Sequence, residues 1–505
     1  MLNDRDFERT VNGLLSILAV ILCAQAAPGQ VAPDPNRGIY AIWTKGLADH
    51  LPFVKGGQVI VQWKQLQPAE DRDDFSQLRD QLEQIARLGR VTTVQLNANL
   101  QPAFLFGKVP LNRLMFIKEQ DSRGTLQYWH PAYVKAYTDL IAAFAREIKS
   151  SPYRSTVIGV RLNYNAIGTE GIVVRPEERD PAKWVAPPGV EPGPQWTEEI
   201  ATAYRRTVED AFLRNFGPDI RVFLRSGIPG YPGADPESLR LVLTGKLGLF
   251  TTGSEIEPRN AYMLDRYKTH LGYCRSGKTV CYAESFADAT GTHGSLQDRR
   301  WCSPEQWNYW RLLSDLNQGF SMIGVYGADL ANAGEPEYRA AFEFAARYAG
   351  YHASPAVSPG AWVALREGSM LKGDYTFLMR RLEGAPMKLE QKVGPDNQRF
   401  GAWALTLAKG EQAKFALDPD FARSLAGKKA AVRMTFLDQG SGAFAVRIAN
   451  RKFPGKVSNS GRWKTLEFEI DGASLAVGGD GAQIVTEGES DLTLHMLEIV
   501  RGSGQ

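Results

Sequence analysis

From Ile39 onward, short apolar runs of strand length alternate with longer segments whose apolar residues recur every three or four positions. The short runs are Ile39–Trp43 (IYAIW), Gln58–Trp63 (QVIVQW), Thr92–Asn97 (TTVQLN) and Thr156–Asn163 (TVIGVRLN). Four more follow at Ile220–Arg225 (IRVFLR), Leu247–Thr252 (LGLFTT), Thr279–Glu284 (TVCYAE) and Met322–Tyr326 (MIGVY). Helical periods fill the intervals at Phe75–Leu88, Pro131–Lys149, Trp196–Phe216, Glu305–Asn317 and Glu337–Tyr348. In the second of these, Val134, Tyr137, Leu140, Ile141, Phe144 and Ile148 fall on one stripe. Eight buried strands alternating with helices predict an α/β fold, a (β/α)₈ TIM barrel over residues 37–350. A doubly wound open sheet is the rival architecture.

After residue 350 the pattern changes. Apart from a short helical turn near Phe421–Leu425, alternating strands take over: Lys429–Leu437, Ala443–Ile448, Trp463–Ile470, Ala482–Val485 and Leu492–Val500. Turn residues punctuate them, as in Gln439-Gly-Ser-Gly442 and Gly478-Gly-Asp-Gly481, so residues 351–505 read as an antiparallel β-sandwich. Residues 351–385 look transitional and are expected to lend it a strand or two. Pro187–Pro194 (PPGVEPGP) reads as an extended surface loop.

Composition adds limits rather than identity. Of 505 residues, 43% are apolar and 23% charged, and 59 basic against 56 acidic side chains leave +3. That balance argues against nucleic acid as a partner, because such binding rests on a basic surface. No apolar stretch reaches the roughly 20 residues of a membrane span. Val11–Cys23 followed by Ala24-Gln-Ala26 has the short apolar core and small-x-small ending of a cleaved signal peptide over residues 1–26. A secreted or periplasmic location follows from that expectation. The n-region is unusual in its acids, Asp4, Asp6 and Glu8. Cys274, Cys281 and Cys302 remain, enough for one disulfide of unassigned pairing and one thiol.

Gly272-Tyr-Cys-Arg-Ser-Gly277-Lys278-Thr279 matches the phosphate-loop pattern letter for letter. A phosphate loop needs a strand before it and a helix after it, and here a helical segment precedes and a strand follows. Six scattered His residues and no Cys/His cluster give no metal site, no G-x-S-x-G elbow marks an acyl-transferring serine, and no cofactor is implied. What remains is acids at strand ends. In a (β/α)₈ barrel, a residue just past a strand projects into the mouth. The fourth strand runs into Asn163-Tyr164-Asn165-Ala-Ile-Gly-Thr-Glu170 and the seventh into Glu284. Two carboxyls facing each other there are what glycosidic cleavage requires: one donates a proton while the other attacks. Glu255 and Glu257, after the sixth strand, compete for these roles, Glu255 reading best as a substrate contact. Arg161 and Arg225 point inward from the fourth and fifth strands, where an ion pair with the acids would help set their protonation. Aromatic residues at or beyond strand ends (Trp43, Trp63, Tyr164, Trp301 and Tyr326) are candidates to stack on sugar faces. Asn97, Asn163 and Asn165 are candidate hydroxyl ligands.

Several passages resemble the clan of (β/α)₈ retaining glycoside hydrolases, its β-galactosidase-like members in particular. Trp63-Lys-Gln-Leu66-Gln-Pro68 with Asp74-Phe75 is similar to the clan's segment after strand 2, Leu96-Asn97-Ala98 to its strand 3, and Trp129-His130-Pro131 to its next helix start. The resemblance implies an acid/base after strand 4, Glu170, and a nucleophile after strand 7, Glu284. It also implies an oligosaccharide or polysaccharide substrate. The clan's Asn-Glu pair after strand 4 is absent here, which favours the alternative of a non-catalytic carbohydrate-binding or surface-scaffold barrel. Arg433–Gly440, Ser460–Phe468 and Leu492–Val500 are similar to accessory sandwiches behind bacterial glycosidase barrels, which either bind carbohydrate or buttress the barrel. The alternation around Trp463 gives that residue a packing role.

Overall fold

A computed structural model describes residues 32–43, 47, 51–98, 100–114, 122–164, 179–225, 241–242, 244–291, 300–475 and 481–502. The expected signal segment, Asn165 and Glu170 lie outside the described residues.

Eight strands form the barrel: β1 (Gly38–Ile42), β2 (Val54–Gln62), β3 (Val91–Asn97), β4 (Val157–Arg161), β5 (Arg221–Arg225), β6 (Leu247–Ser254), β7 (Cys281–Ser285) and β8 (Met322–Tyr326). Every neighbour in sequence is a parallel neighbour in space, and β8 returns to pair with β1 from Gly38↔Met322 to Ile42↔Tyr326. That last ladder closes the sheet and excludes the doubly wound alternative. Among the described residues, α1 (Ser76–Arg87), α2 (Pro131–Ser150), α3 (Glu198–Phe216), α4 (Ala261–Cys274), α5 (Pro304–Gln318) and α6 (Pro336–Tyr348) cover it. The stripe read on α2 is the buried one, with Tyr137, Leu140, Ile141, Phe144 and Ile148 all buried.

Strand alternation sorts side chains between two environments. Ile39, Ala41, Val59, Val61, Val94, Leu96, Val160, Leu224, Ile323 and Val325 face the helices and join the main core. Tyr40, Phe223, Phe250, Tyr282 and Met322 face inward and form a separate cluster inside the barrel. Gly159 and Gly248 make room for the Phe223 ring, since a Cβ at either would stand 2.5 or 2.6 Å from it. Above this layer the interior turns polar: Gln58 donates to Gln95 at 3.2 Å, and Arg161 lies 3.4 Å over the Phe250 ring.

The C-terminal part is a two-sheet sandwich. One sheet contains β9 (Gly360–Ala364), β10 (Tyr375–Phe377), β12 (Lys388–Gln391), β13 (Trp403–Leu407), β15 (Lys429–Leu437), β18 (Trp463–Asp471) and β20 (Leu492–Arg501). The other contains β11 (Met379–Arg381), β14 (Gln412–Leu417), β16 (Gly442–Ile448), β17 (Arg451–Val457) and β19 (Ile484–Gly488). Aliphatic residues between the sheets, among them Val432, Met434, Val446, Ile448, Leu497 and Ile499, make a second core. The seven-stranded sheet is covered on its other face as well. Trp362, Phe377, Trp403, Trp463 and Met496 belong to the same core as the barrel helices. Trp463 is buried, and its indole donates to the Val393 carbonyl.

Helix α5 lies in that seam. Its start is fixed by a capping box between Ser303 and Gln306 with Pro304 in the first turn, and its end by Gly319 at φ 91°. From Gln306 through Gln318 every residue is buried, polar ones included. Cys274 and Cys281 form a disulfide, leaving Cys302 as the free cysteine among the described residues, and burial pushes its thiol pKa up to about 12. The disulfide spans the phosphate-loop look-alike, which is the turn from α4 into β7, the reverse of the order phosphate binding needs.

Candidate active site

Glu284 is the fourth residue of β7, two on from Tyr282, so the pleat turns both into the barrel. Its side chain is 11% exposed, and Arg161, at the end of β4, donates through Nη2 to Oε2 at 3.0 Å. This pair crosses the barrel between strands that are not neighbours. The contact matters because a buried charge without a partner is costly, whereas here the carboxylate is matched by a guanidinium itself held against Phe250. Tyr326, at the end of β8, is close enough that the negative charges of Glu284 and Asp288 add to burial in pushing its hydroxyl pKa up. It therefore stays protonated and able to donate. Burial likewise raises Tyr282 below the pair, with Arg161 opposing and Glu284 adding to the effect.

Trp43, directly after β1, packs edge-on against Tyr326 at 5.6 Å and remains 41% exposed. Its φ of 62° is a left-handed conformation that a bulky residue rarely adopts. Across the mouth, Gln62 and Asn97 end β2 and β3 as register partners. Asn163 is buried two residues beyond Arg161, with its carbonyl held by the Tyr137 hydroxyl at 2.6 Å. Arg225, half-buried, ends β5.

Two other expected contacts are corrected by the structure. Trp63 is fully buried in a short helix after β2, edge-on to Tyr133 at 5.3 Å and tilted on Tyr137. It packs behind the barrel, because one residue past the inward Gln62 the pleat turns it toward α2. Tyr164 is also fully buried and donates to Glu209 of α3 at 2.6 Å. Trp301 is half-buried and stands edge-on to Trp403 of the sandwich at 4.9 Å, which leaves its expected sugar contact untouched.

The competing acids after β6 are committed elsewhere. Glu255 is paired with Arg259 at 2.7 Å. Glu257 accepts from Arg366 at 2.8 Å and from the Ser369 hydroxyl at 2.8 Å, both from the sandwich. Arg366 is itself buried against Tyr375 and Trp403. Sequence reasoning had no signal for that tie, since the partners lie more than 100 residues apart. It also passed over Gln62, which the β2 pleat would have placed in the mouth.

A cavity of about 1370 Å³ opens at the opposite end of the barrel, beside the starts of β4 and β5. Of its acids, Asp34 pairs with Arg221 at 2.5 Å, Asp219 lies 3.5 Å from Lys149, and Glu209 takes the Tyr164 hydroxyl. Among the described residues no cluster of His, Cys, Asp or Glu suits a metal ion, and no helix is long and apolar enough to cross a membrane.

No family model and no curated protein matches the chain. Solved structures similar to it include the β-amylase catalytic domain of Paenibacillus polymyxa (13% identity, TM-score 0.37, covering 58% of this chain and 93% of that one). A β-galactosidase from Rahnella sp. R3 gives 12% identity and a TM-score of 0.37, covering 59% and 51%. A glycoside hydrolase family 30 subfamily 8 xylanase from Clostridium acetobutylicum gives 10% identity and a TM-score of 0.33, covering 93% and 97%. At these scores the likenesses carry no weight for activity, and the barrel stands on its own strand pairing.

Proposed function

We propose that the chain is a secreted glycoside hydrolase that cleaves an oligosaccharide or polysaccharide through two carboxyl groups with retention of configuration. The observation that carries this reading is Glu284: an acid facing into the barrel at the end of β7, paired across the interior with Arg161 and beside Tyr326. Glu284 attacks the anomeric carbon, while Glu170 protonates the departing oxygen and then, ionised, activates the water that releases the sugar. Tyr326 is a donor next to the nucleophile. Trp43 offers an exposed ring at the mouth, held by a backbone conformation whose cost is of the kind found at working sites. Gln62, Asn97, Asn163, Asn165 and Arg225 are the polar groups proposed to meet sugar hydroxyls. The sandwich acts as a buttress, since its seven-stranded sheet is packed on both faces and clasps the loop after β6 through Arg366.

A second reading rests on the same ion pair. A glutamate paired this closely with a buried arginine also suits a barrel that binds carbohydrate without cleaving it. A panel of aryl glycosides and polysaccharides, with product anomers followed by NMR, separates the two. Cleavage with retained configuration, abolished in Glu284→Gln, supports the enzyme; binding without turnover supports the scaffold. Glu170→Ala should spare the first step, read as kcat/KM, with dinitrophenyl glycosides, whose leaving group needs no proton, while slowing sugar release and disabling poorer leaving groups.

A further inference from the structure

Behind Glu284 lies a set of buried charges that the reaction as written does not use. Asn308, Arg311 and Asp315 on α5, and Asp329 in the short helix after β8, are each fully buried. Arg311 donates through Nη1 to Asp315 Oδ2 at 2.9 Å. The same oxygen takes the hydroxyl of Ser254, the last residue of β6, at 3.3 Å. The Ser254 carbonyl in turn accepts the backbone N–H of Phe286, the first residue past β7, at 3.1 Å. Three residues further on, the N–H of Ala289 donates to Asp329 Oδ1 at 2.7 Å. Both ends of the short segment leaving the Glu284 strand are therefore tied to this group.

We propose that Arg311, Asp315 and Asp329 form a positioning frame that fixes the exit of β7 and so holds Glu284 in its attacking position. The catalytic consequence rests on the glycosidase reading; the frame itself does not. Two features mark it as more than ordinary packing. Its members are ionisable groups with no exposure to solvent, and a buried polar network whose members are hydrogen-bonded rigidifies what is tied to it. Arg311 Nε and Nη2, Asn308 Nδ2, Asn308 Oδ1, Asp315 Oδ1 and Asp329 Oδ2 are buried beyond the direct contacts, three donors and three acceptors. Burial raises both acids, Asp315 to about 6 and Asp329 to about 7.

Hydrogen exchange read by mass spectrometry tests the frame without any substrate, and aryl-glycoside kinetics test its consequence. Asp329→Ala should lose at least about tenfold of the protection in peptides covering residues 285–289, with the remaining barrel strands unchanged. Its kcat should fall about 10- to 100-fold with KM within about threefold. Asp329→Asn keeps an oxygen for the Ala289 N–H and should restore most of both. If Asp329→Ala does not fold, Ser254→Ala cuts the other route and carries the same expectation for Phe286. Unchanged protection in these variants overturns the frame, as does lost protection with unchanged kcat. Lost protection in a protein that turns over no glycoside would sustain the frame and reject the catalytic reading of Glu284.

Discussion

Neighbouring strands β6 and β7 both end in acids, and the fates of those acids differ. Glu284 stays within the strand, faces the barrel interior, and finds its partner across the barrel on β4. Glu255 and Glu257 lie just beyond β6, and their partners are Arg259 on the same loop and Arg366 from the sandwich. One acid is positioned by the barrel toward its mouth, and the others hold a loop in place. What separates a candidate nucleophile from a structural carboxylate here is the direction of its partner, since Glu284 and Glu255 are equally buried and both are paired.

Substitution should break this contrast most strongly at the acids themselves. Glu284→Gln is expected to lower turnover by at least about 10³-fold while sugar affinity persists in calorimetry. Glu255→Gln should keep turnover within about tenfold. The partner arginines come next. Arg161→Met removes the guanidinium from the buried Glu284 and should cost about 3 kcal/mol in chemical denaturation, while Arg366→Met leaves the half-buried Glu257 its Ser369 donor and should cost about 1–2 kcal/mol. Only Arg161→Met should also lose turnover, by more than about tenfold. Trp43→Ala should raise KM about 3- to 10-fold with kcat nearly unchanged, because an exposed ring contributes binding and little packing.

The smallest effect is on pH dependence. Burial raises Asp329 to about 7, with the Arg311 charge and the Ala289 N–H opposing and Asp288 adding. The folded protein thus keeps a proton that the unfolded chain releases above about 4. This group's contribution to stability is full below that point and falls as pH rises toward 7. Asp329→Asn lacks that loss, so between pH 5 and pH 8 its Tm should drop about 1–3 °C less than that of the parent.

The barrel was legible because each strand is a contiguous apolar run, and β8 begins and ends where the pattern places it, at Met322 and Tyr326. The strand Lys429–Leu437 is equally clear, an alternating run between turn residues. The strands Lys388–Gln391, Trp403–Leu407, Gln412–Leu417 and Arg451–Val457 were missed. Lys388–Gln391 is mostly exposed and Arg451–Val457 contains Pro454, so neither displays an apolar alternation. Helix α5 was recognised, but its burial on all sides was not, because the sequence does not show that Asp315 meets the barrel at Ser254 while Trp310 meets the sandwich at Phe400. Of the site, Glu284 and its pairing with an inward arginine followed from strand ends and pleat. Trp63 and Tyr164 were misassigned because proximity to a strand end does not say which face of the barrel a residue joins. The single-residue step past Gln62 decides it for Trp63.

Covalent trapping tests the central claim most directly. An activated 2-deoxy-2-fluoro glycoside slows both steps of a retaining reaction, and its good leaving group still allows the first, so the glycosyl-enzyme accumulates. Peptide mapping of the intact protein should then find one sugar added, on the peptide carrying Glu284, and none in Glu284→Gln. A label on another carboxylate, or turnover with inverted configuration and no label, would contradict the account.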